Sequence, residues 1–217
     1  MAFGTRPFPS RSDRPSRGGS DGTGAGADAG AAARAGDPVD AARQICLNQL
    51  EHAPRTRAQL AARLRSKGVE DDVAEQVLSR FAEVGMIDDA LFAQMWVTSR
   101  HRGKGLARRA LSQELQRKGV GDQEVAEALA SLDPDVELAT ARALVDRRLR
   151  TTRGLETQVR VRRLAGLLAR KGYPAGTAFR VVKEALAAEG VEAELGPDEL
   201  SPDGLDGLDG LDGAPPG

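Results

Sequence analysis

The chain has few aromatic residues and almost no cysteine. Its 217 residues include five Phe, one Tyr, one Trp and a single Cys. One cysteine excludes a disulfide within the chain, and Cys46 lies in an apolar helical pattern that is typical of a small core residue. The scarcity of aromatics argues against a surface on which single-stranded bases stack. No apolar run is long enough to span a bilayer, and residues 1–36 lack the apolar core of a signal peptide, so we expect a cytoplasmic protein without a membrane segment.

Residues suited to catalysis or metal binding are also missing. The only histidines, His52 and His101, are far apart in the sequence, and neither has neighbours at the spacing of metal ligands. The chain has no serine-centred nucleophile turn, and Cys46 has no exposed basic neighbours. The Gly-Leu-Asp repeats of residues 204–212 do not follow the longer register of calcium-binding repeats. We therefore predict no catalytic residue, no metal and no cofactor, and hence a protein that is not an enzyme.

Helix-forming residues fill most of the chain, and no stretch alternates with a period of two. Apolar residues recur at helical spacing between proline and glycine stops, which predicts an all-α fold. The predicted helices are 39–51, 56–67, 71–84, 87–100, 106–118, 122–132, 134–150, 156–171 and 175–189.

One phrase of the form Leu-x-x-Lys-Gly occurs three times. Its glycines are Gly68, Gly119 and Gly172, which lie 51 and 53 residues apart. The phrase is typical of a helix end, where glycine adopts a left-handed conformation and lysine complements the negative end of the helix dipole. A unit of about fifty residues buries little core alone, so we predict three tandem three-helix repeats that form an elongated, curved body. The predicted boundaries are 1–38 for a disordered tail, 39–100, 101–150 and 151–190 for the repeats, and 191–217 for an acidic disordered tail.

The stretch from residue 85 to residue 96 combines a helix end, a turn and a helix start. Gly85 suits a left-handed cap, Asp88 suits the N-cap of the next helix, and Asp89 complements its dipole. Because capping explains both aspartates, we do not interpret them as catalytic. We predict that Ile87 and Phe92 form a hydrophobic staple. We also predict one apolar stripe along the following helix, formed by Leu91, Phe92, Met95 and Trp96.

The net charge of −1 conceals an uneven distribution. Residues 39–190 carry 26 basic and 20 acidic residues, whereas residues 191–217 carry eight acidic residues and no basic one. Residues 100–183 alone have a net charge of +10. This balance predicts a polyanionic partner, or an acidic protein surface, for the basic part of the chain. The candidate contact residues are Arg100, Arg102, Lys104, Arg108, Arg109, Lys118, Arg147, Arg148, Arg160, Arg163 and Lys171.

These motifs together resemble the RecX family of bacterial regulatory proteins over residues 39–190. The resemblance depends on Gly85-Met86-Ile87-Asp88-Asp89, followed by Phe92-Ala93 and Trp96, on the basic connector 100–105, and on the three Lys-Gly turns. It implies a non-enzymatic modulator, in most cases an inhibitor, of the RecA recombinase in DNA repair, recombination and the SOS response. It also implies binding in the groove of the RecA–DNA filament, with contacts to single- or double-stranded DNA, by a monomeric protein.

Two other functions are compatible with the same residues. The first is sequence-tolerant DNA binding by stacked helical units without RecA, which would weaken steeply with salt. The second is a helical adaptor whose basic face binds an acidic protein.

Overall fold

The computed structural model describes residues 37–191. The two predicted tails lie outside these residues, except for their inner ends at 37–38 and 191. The described part contains helices and no strand. The helices are α1 Pro38–His52, α2 Arg57–Ser66, α3 Asp71–Glu83, α4 Asp89–Lys104, α5 Arg108–Arg117, α6 Asp122–Ala130, α7 Pro134–Leu149, α8 Thr157–Arg170 and α9 Ala175–Ala188. The prediction of an all-α protein is thus confirmed, and the elongated, curved outline stays a prediction.

The helix starts follow from local capping. Asp37 and Asp133 each cap a helix whose first residue is proline, which has no amide hydrogen to leave unpaired. Thr56 and Gln59 form a capping box at the start of α2. The predicted helix over 87–100 begins later and runs to Lys104, and Gly105 ends it with a φ of 63°. The predicted basic connector 100–105 is therefore mostly the last turn of α4.

Three separate clusters of buried side chains divide the helices into units of three. The first cluster lies within α1–α3, the second within α4–α6 and the third mainly within α7–α9. Phe92, Ala93 and Val97 of α4 pack with Leu111 and Leu115 of α5. The predicted boundaries at 100 and 150 were therefore wrong, because they assigned α4 to the first repeat and α7 to the second, whereas each opens the unit that follows.

The turn before α4 connects two of these clusters. Gly85 has a φ of 72°, and the Asp88 carboxylate accepts a hydrogen bond from the Leu91 amide at 2.7 Å, as predicted. Ile87, however, is buried in the first cluster and Phe92 in the second. The predicted hydrophobic staple, which requires both residues in one cluster, is therefore not observed. The predicted stripe was also wrong, since Leu91 and Met95 are 52% and 55% exposed.

The three Lys-Gly turns have the predicted geometry. Their glycines have φ values of 77°, 77° and 87°. In each turn the residue after glycine donates its amide hydrogen to the carbonyl of the leucine four residues before glycine, at 3.1 to 3.2 Å. Those leucines are fully buried, so each turn closes its helix against the core of its unit. The three leucines are Leu64, Leu115 and Leu168.

Two of these turns also connect one unit to the next. The Thr56 hydroxyl, at the start of α2, donates to the Lys118 carbonyl at 2.6 Å. The Ala107 amide, at the start of α5, donates to the Lys171 carbonyl at 2.9 Å. We call these contacts the first joint and the second joint. In both, the end of the second helix of one unit lies against the start of the second helix of the preceding unit.

Glycine is required at both joints for a second reason. A Cβ atom added at Gly119 would lie 2.3 Å from the Cβ of Ala58, and one added at Gly172 would lie 2.6 Å from the Ala110 amide nitrogen. A Cβ atom at Gly68 would meet no atom within 4 Å. The turn of the first unit therefore has no such neighbour in the described part of the chain.

The third unit differs at the opposite end. In α2 and α5 the N-cap residue lies four positions before the first buried leucine of the helix; these N-caps are Thr56 and Ala107. In α8 the N-cap residue, Glu156, lies eight positions before the first buried leucine. Arg160 thus occupies the place of Thr56 and Ala107, and its amide already donates to Glu156 within the longer helix. A backbone amide like that of Ala107 is therefore not available there for a third joint.

Candidate nucleic-acid interface

Most of the predicted contact residues are exposed. Those on the surface are Arg102, Lys104, Arg109, Arg147, Arg148 and Arg163, and those partly buried are Arg100, Arg108, Lys118 and Lys171. Arg160 was wrongly predicted as a contact, because it is only 4% exposed and pairs with Glu189. Arg160, and after it Arg153, lower the pKa of the Glu189 carboxyl by hydrogen bonding. Arg160 is therefore a structural residue of the third unit.

Arg108 also has a structural environment. Its guanidinium donates to the Leu132 carbonyl and lies 3.3 Å from the Glu137 carboxylate, and its amide donates to the same carboxylate at 2.9 Å. Glu137 belongs to α7, so this carboxylate caps α5 from the next unit. The Asp89 carboxylate does the same at the first joint, where it accepts the Arg57 amide of α2 at 2.9 Å. Burial raises the pKa of Asp89, and the hydrogen bond from Arg57 opposes that shift.

Beside the first joint, two cations contact the only tryptophan. The Arg100 guanidinium and the Lys118 ammonium lie 4.1 Å and 4.0 Å from the centroid of the Trp96 ring, which is within the range of cation–π interaction. The indole nitrogen of Trp96 donates to Glu114 at 2.8 Å, and Arg100 lies 3.6 Å from the same carboxylate oxygen. We call Arg55, Arg100, Lys118 and Trp96 the first cationic cluster.

Arg55 belongs to this cluster through its charge. Burial lowers the pKa of Lys118, and the positive charges of Arg100 and Arg55 lower it further, whereas Glu114 raises it. The Nε atom of Arg55 is buried without a hydrogen-bond partner in the part of the chain that the structure describes. Glu114 therefore offsets the charges of Arg100 and Lys118 only in part, and Arg55 adds a further positive charge beside Lys118.

Beside the second joint lies a cleft of about 680 Å³ between the end of α4 and one face of α7. Four cations line it, and none of the described lining residues is acidic. The Lys171 ammonium donates to the Lys104 carbonyl at 2.8 Å, which covers part of the negative end of α4. We call this group the second cationic cluster; its cations are Arg102, Lys104, Arg147 and Lys171.

A buried histidine fixes the walls of this cleft. The His101 Nδ1 atom donates to the Leu106 carbonyl at 2.9 Å, and its Nε2 atom lies 2.9 Å from the Thr140 hydroxyl. The Tyr173 hydroxyl donates to the Gly105 carbonyl at 3.2 Å. These contacts hold the end of α4 against α7 and the third unit, and so position the cations at its last turn.

Sequence reasoning missed Arg55, His101 and Thr140 as parts of these sites. Arg55 stands between a proline and a helix cap, and no pattern connects it with Lys118, 63 positions away. His101 lies in the predicted basic connector, but nothing in its sequence neighbourhood indicates the contacts with Leu106 and Thr140. Within residues 37–191 no group of His, Cys, Asp and Glu is arranged to hold a metal ion.

Three family models match the chain in order. They describe the first, second and third three-helix domains of RecX, and they cover residues 42–81, 88–129 and 135–182. These limits agree with the units α1–α3, α4–α6 and α7–α9. The chain belongs to the RecX family.

Curated relatives support the same conclusion. The regulatory protein RecX of Thermobifida fusca is 58% identical over 159 residues, which cover 73% of this chain and 86% of the relative. The regulatory protein RecX of Streptomyces coelicolor is 56% identical over 163 residues, covering 75% and 87%. The family is thus one of regulatory proteins and is named for regulation rather than for catalysis.

Solved structures of the family have the same fold. The crystal structure of RecX from Lactobacillus salivarius aligns with a TM-score of 0.64 at 18% identity, over 68% of this chain and 96% of that one. A second crystal structure of a regulatory protein RecX aligns with a TM-score of 0.63 at 22% identity. Among the helices of residues 37–191, none is both long and apolar enough to cross a membrane.

Proposed function

We propose that this protein inhibits the RecA recombinase by binding in the groove of the RecA–DNA filament. Membership of a family of regulatory proteins is the observation that carries the proposal. The cationic clusters beside the joints support it, because a protein that binds in a filament groove meets the DNA backbone there. We propose a monomer that acts in the cytoplasm, where the filament assembles.

The test is a titration of the full chain into RecA-driven ATP hydrolysis and strand exchange, with RecA from the same organism. We expect inhibition at less than one copy per RecA, because blocking a few positions disrupts a polymer. Unchanged ATP hydrolysis and strand exchange over the whole titration would contradict the proposal. Stimulation would retain RecA as the target and reverse the direction of regulation.

Sequence-tolerant DNA binding without RecA is the second candidate, and the excess of cations over carboxylates at both clusters favours it. It predicts binding to duplexes of any sequence, with a logarithm of the binding constant that falls linearly with the logarithm of salt concentration. If such binding occurs and RecA activity does not change, this candidate replaces the first.

A further inference from the structure

We propose that the two joints between units form two phosphate-binding notches, in which the nucleic-acid backbone is held by the repeat-related lysines Lys118 and Lys171. The proposal rests on the proposed function only in taking nucleic acid as the partner. It differs from the prediction of a general basic face, because it assigns the main contacts to two defined clusters.

The turns themselves place the two lysines. The carbonyl groups of Lys118 and Lys171 accept the hydrogen bonds that form the first and second joints. Each lysine side chain therefore starts from a fixed backbone position at a boundary between units. Lys67 has the same place in the first turn, but within residues 37–191 no earlier unit contacts that turn, and the Lys67 side chain is exposed.

At the first joint, the cations repel one another, and a bound anion would offset this unfavourable electrostatic energy. Arg55, Arg100 and Lys118 repel one another, and burial adds to the cost of charging Lys118. The nearby Glu114 carboxylate already accepts a hydrogen bond from Trp96. An anionic oxygen placed among the three cations would relieve this repulsion, and the buried Nε atom of Arg55 has a free hydrogen to donate.

At the second joint, the corresponding feature is a cleft whose charged lining residues are all basic. Its volume of about 680 Å³ lies within the range of roughly 300–1,000 Å³ that is usual for ligand sites. The rim cations come from the last turn of α4, from α7 and from the Lys-Gly turn of the third unit. Because the Lys171 ammonium covers the Lys104 carbonyl, an anion that enters the cleft meets cations rather than a bare helix end.

The repetition favours nucleic acid over an acidic protein. Two clusters placed by the same turn in successive units match a polymer that presents identical charges at regular intervals. Contacts to phosphate carry no sequence information, so we infer binding without sequence preference. Arg100 and Lys118 already lie against the Trp96 ring, so we do not assign base stacking to that ring.

The test measures the affinity of the full chain for a labelled mixed-sequence oligonucleotide, single-stranded and duplex, without RecA. We expect Lys118→Gln and Lys171→Gln each to weaken binding on the order of tenfold and to reduce the salt slope by about one. Lys67→Gln is the matched control and should remain within about twofold. Lys118→Arg and Lys171→Arg should restore binding, and thermal unfolding of each variant checks its fold.

Trp96 is the only tryptophan of the chain, so its fluorescence reports on the first notch directly. We expect the oligonucleotide to change this emission in the wild type and to change it less in Lys118→Gln. Equal losses for all three glutamine variants, or oligonucleotide binding with no change in Trp96 emission, would overturn the proposal. So would polyglutamate, if it bound as tightly as the oligonucleotide with the same dependence on Lys118 and Lys171, since that result would indicate an acidic protein partner.

The experiment separates this inference from the proposed function. If Lys118→Gln and Lys171→Gln bind DNA weakly, Lys67→Gln binds normally and the wild type leaves RecA activity unchanged, the notches stand and the proposed function fails. If the wild type inhibits RecA and all variants bind DNA equally well, the proposed function stands and the notches fail.

Discussion

The first and second joints reach similar geometry with different chemistry. At the first, a side-chain hydroxyl donates to the Lys118 carbonyl, whereas at the second a backbone amide donates to the Lys171 carbonyl. The carboxylate that caps the earlier helix is Asp89 in one case and Glu137 in the other. The shared elements are the accepting carbonyl and the glycine that follows it. The Lys-Gly turn, rather than the residues it contacts, therefore defines how two units join.

The largest expected difference concerns the glycines of the turns. Gly68→Ala should destabilise the protein by about 1–2 kcal/mol, because only the left-handed conformation opposes it. Gly119→Ala and Gly172→Ala should each cost roughly 1–3 kcal/mol more, because the added methyl group overlaps the preceding unit. Urea unfolding of the three variants measures the difference. Equal losses of unfolding free energy at all three positions would show that Gly119 and Gly172 do not contribute to the contacts between units.

Thr56→Ala should have the next largest effect. It removes the cap of α2 and leaves the Lys118 carbonyl without its hydroxyl donor, at a cost of about 1–2 kcal/mol. Thr56→Ser is the control and should retain most of the stability, because it keeps the hydroxyl. The second joint has no equivalent substitution, since its donor is a backbone amide. A neutral Thr56→Ala variant would show that the side-chain bond is dispensable and that the two joints depend only on packing.

A smaller effect is expected for Tyr173→Phe. This change removes the hydrogen bond to the Gly105 carbonyl, which belongs only to the second joint, and should cost roughly 0.5–1.5 kcal/mol. The ring remains buried in the third cluster. Thermal unfolding of the variant beside the wild type measures the loss. A gain in stability would mean that this bond strains the joint.

The smallest expected effect is a pH dependence at the first joint. Because burial raises the pKa of Asp89 in the folded state, the folded protein holds this proton more tightly than the unfolded chain. Stability should therefore fall as pH rises through the interval between the unfolded pKa of about 3.9 and the folded value. Asp89→Asn removes this contribution. Unfolding of both proteins from about pH 3 to pH 6 should show the wild type losing stability relative to the variant. An opposite or absent trend would contradict the raised pKa.

Local signals predicted the helices well. Prolines, glycines and capping residues act on their own neighbours, so the observed helix limits fall close to the predicted ones in residues 37–191, apart from the later end of α4. The grouping of helices was not predictable in the same way. Whether α4 packs on the helix before it or on the two after it depends on tertiary contacts, and Leu91 and Phe92 have similar apolar character although only Phe92 is buried.

The candidate site was predictable in part. The density of arginine and lysine in residues 100–183 indicated the basic part of the chain, and Arg100, Arg102, Lys104, Arg147 and both joint lysines belong to the clusters. Arg160 was misassigned because its partner Glu189 follows 29 positions later, near the end of another helix. Thr140 gave no signal, since a threonine in a helix has no distinctive pattern.

The different ends of the three units have a consequence for how such a chain can change in length. Within residues 37–191, only the middle unit has both a second-helix start that contacts the turn of the following unit and a turn that contacts the second-helix start of the preceding unit. A tandem duplication of α4–α6 would reproduce a compatible boundary on each side, whereas a copy of α7–α9 added after the third unit would meet the longer α8. The copy number of this architecture is therefore expected to grow from its centre rather than from its end.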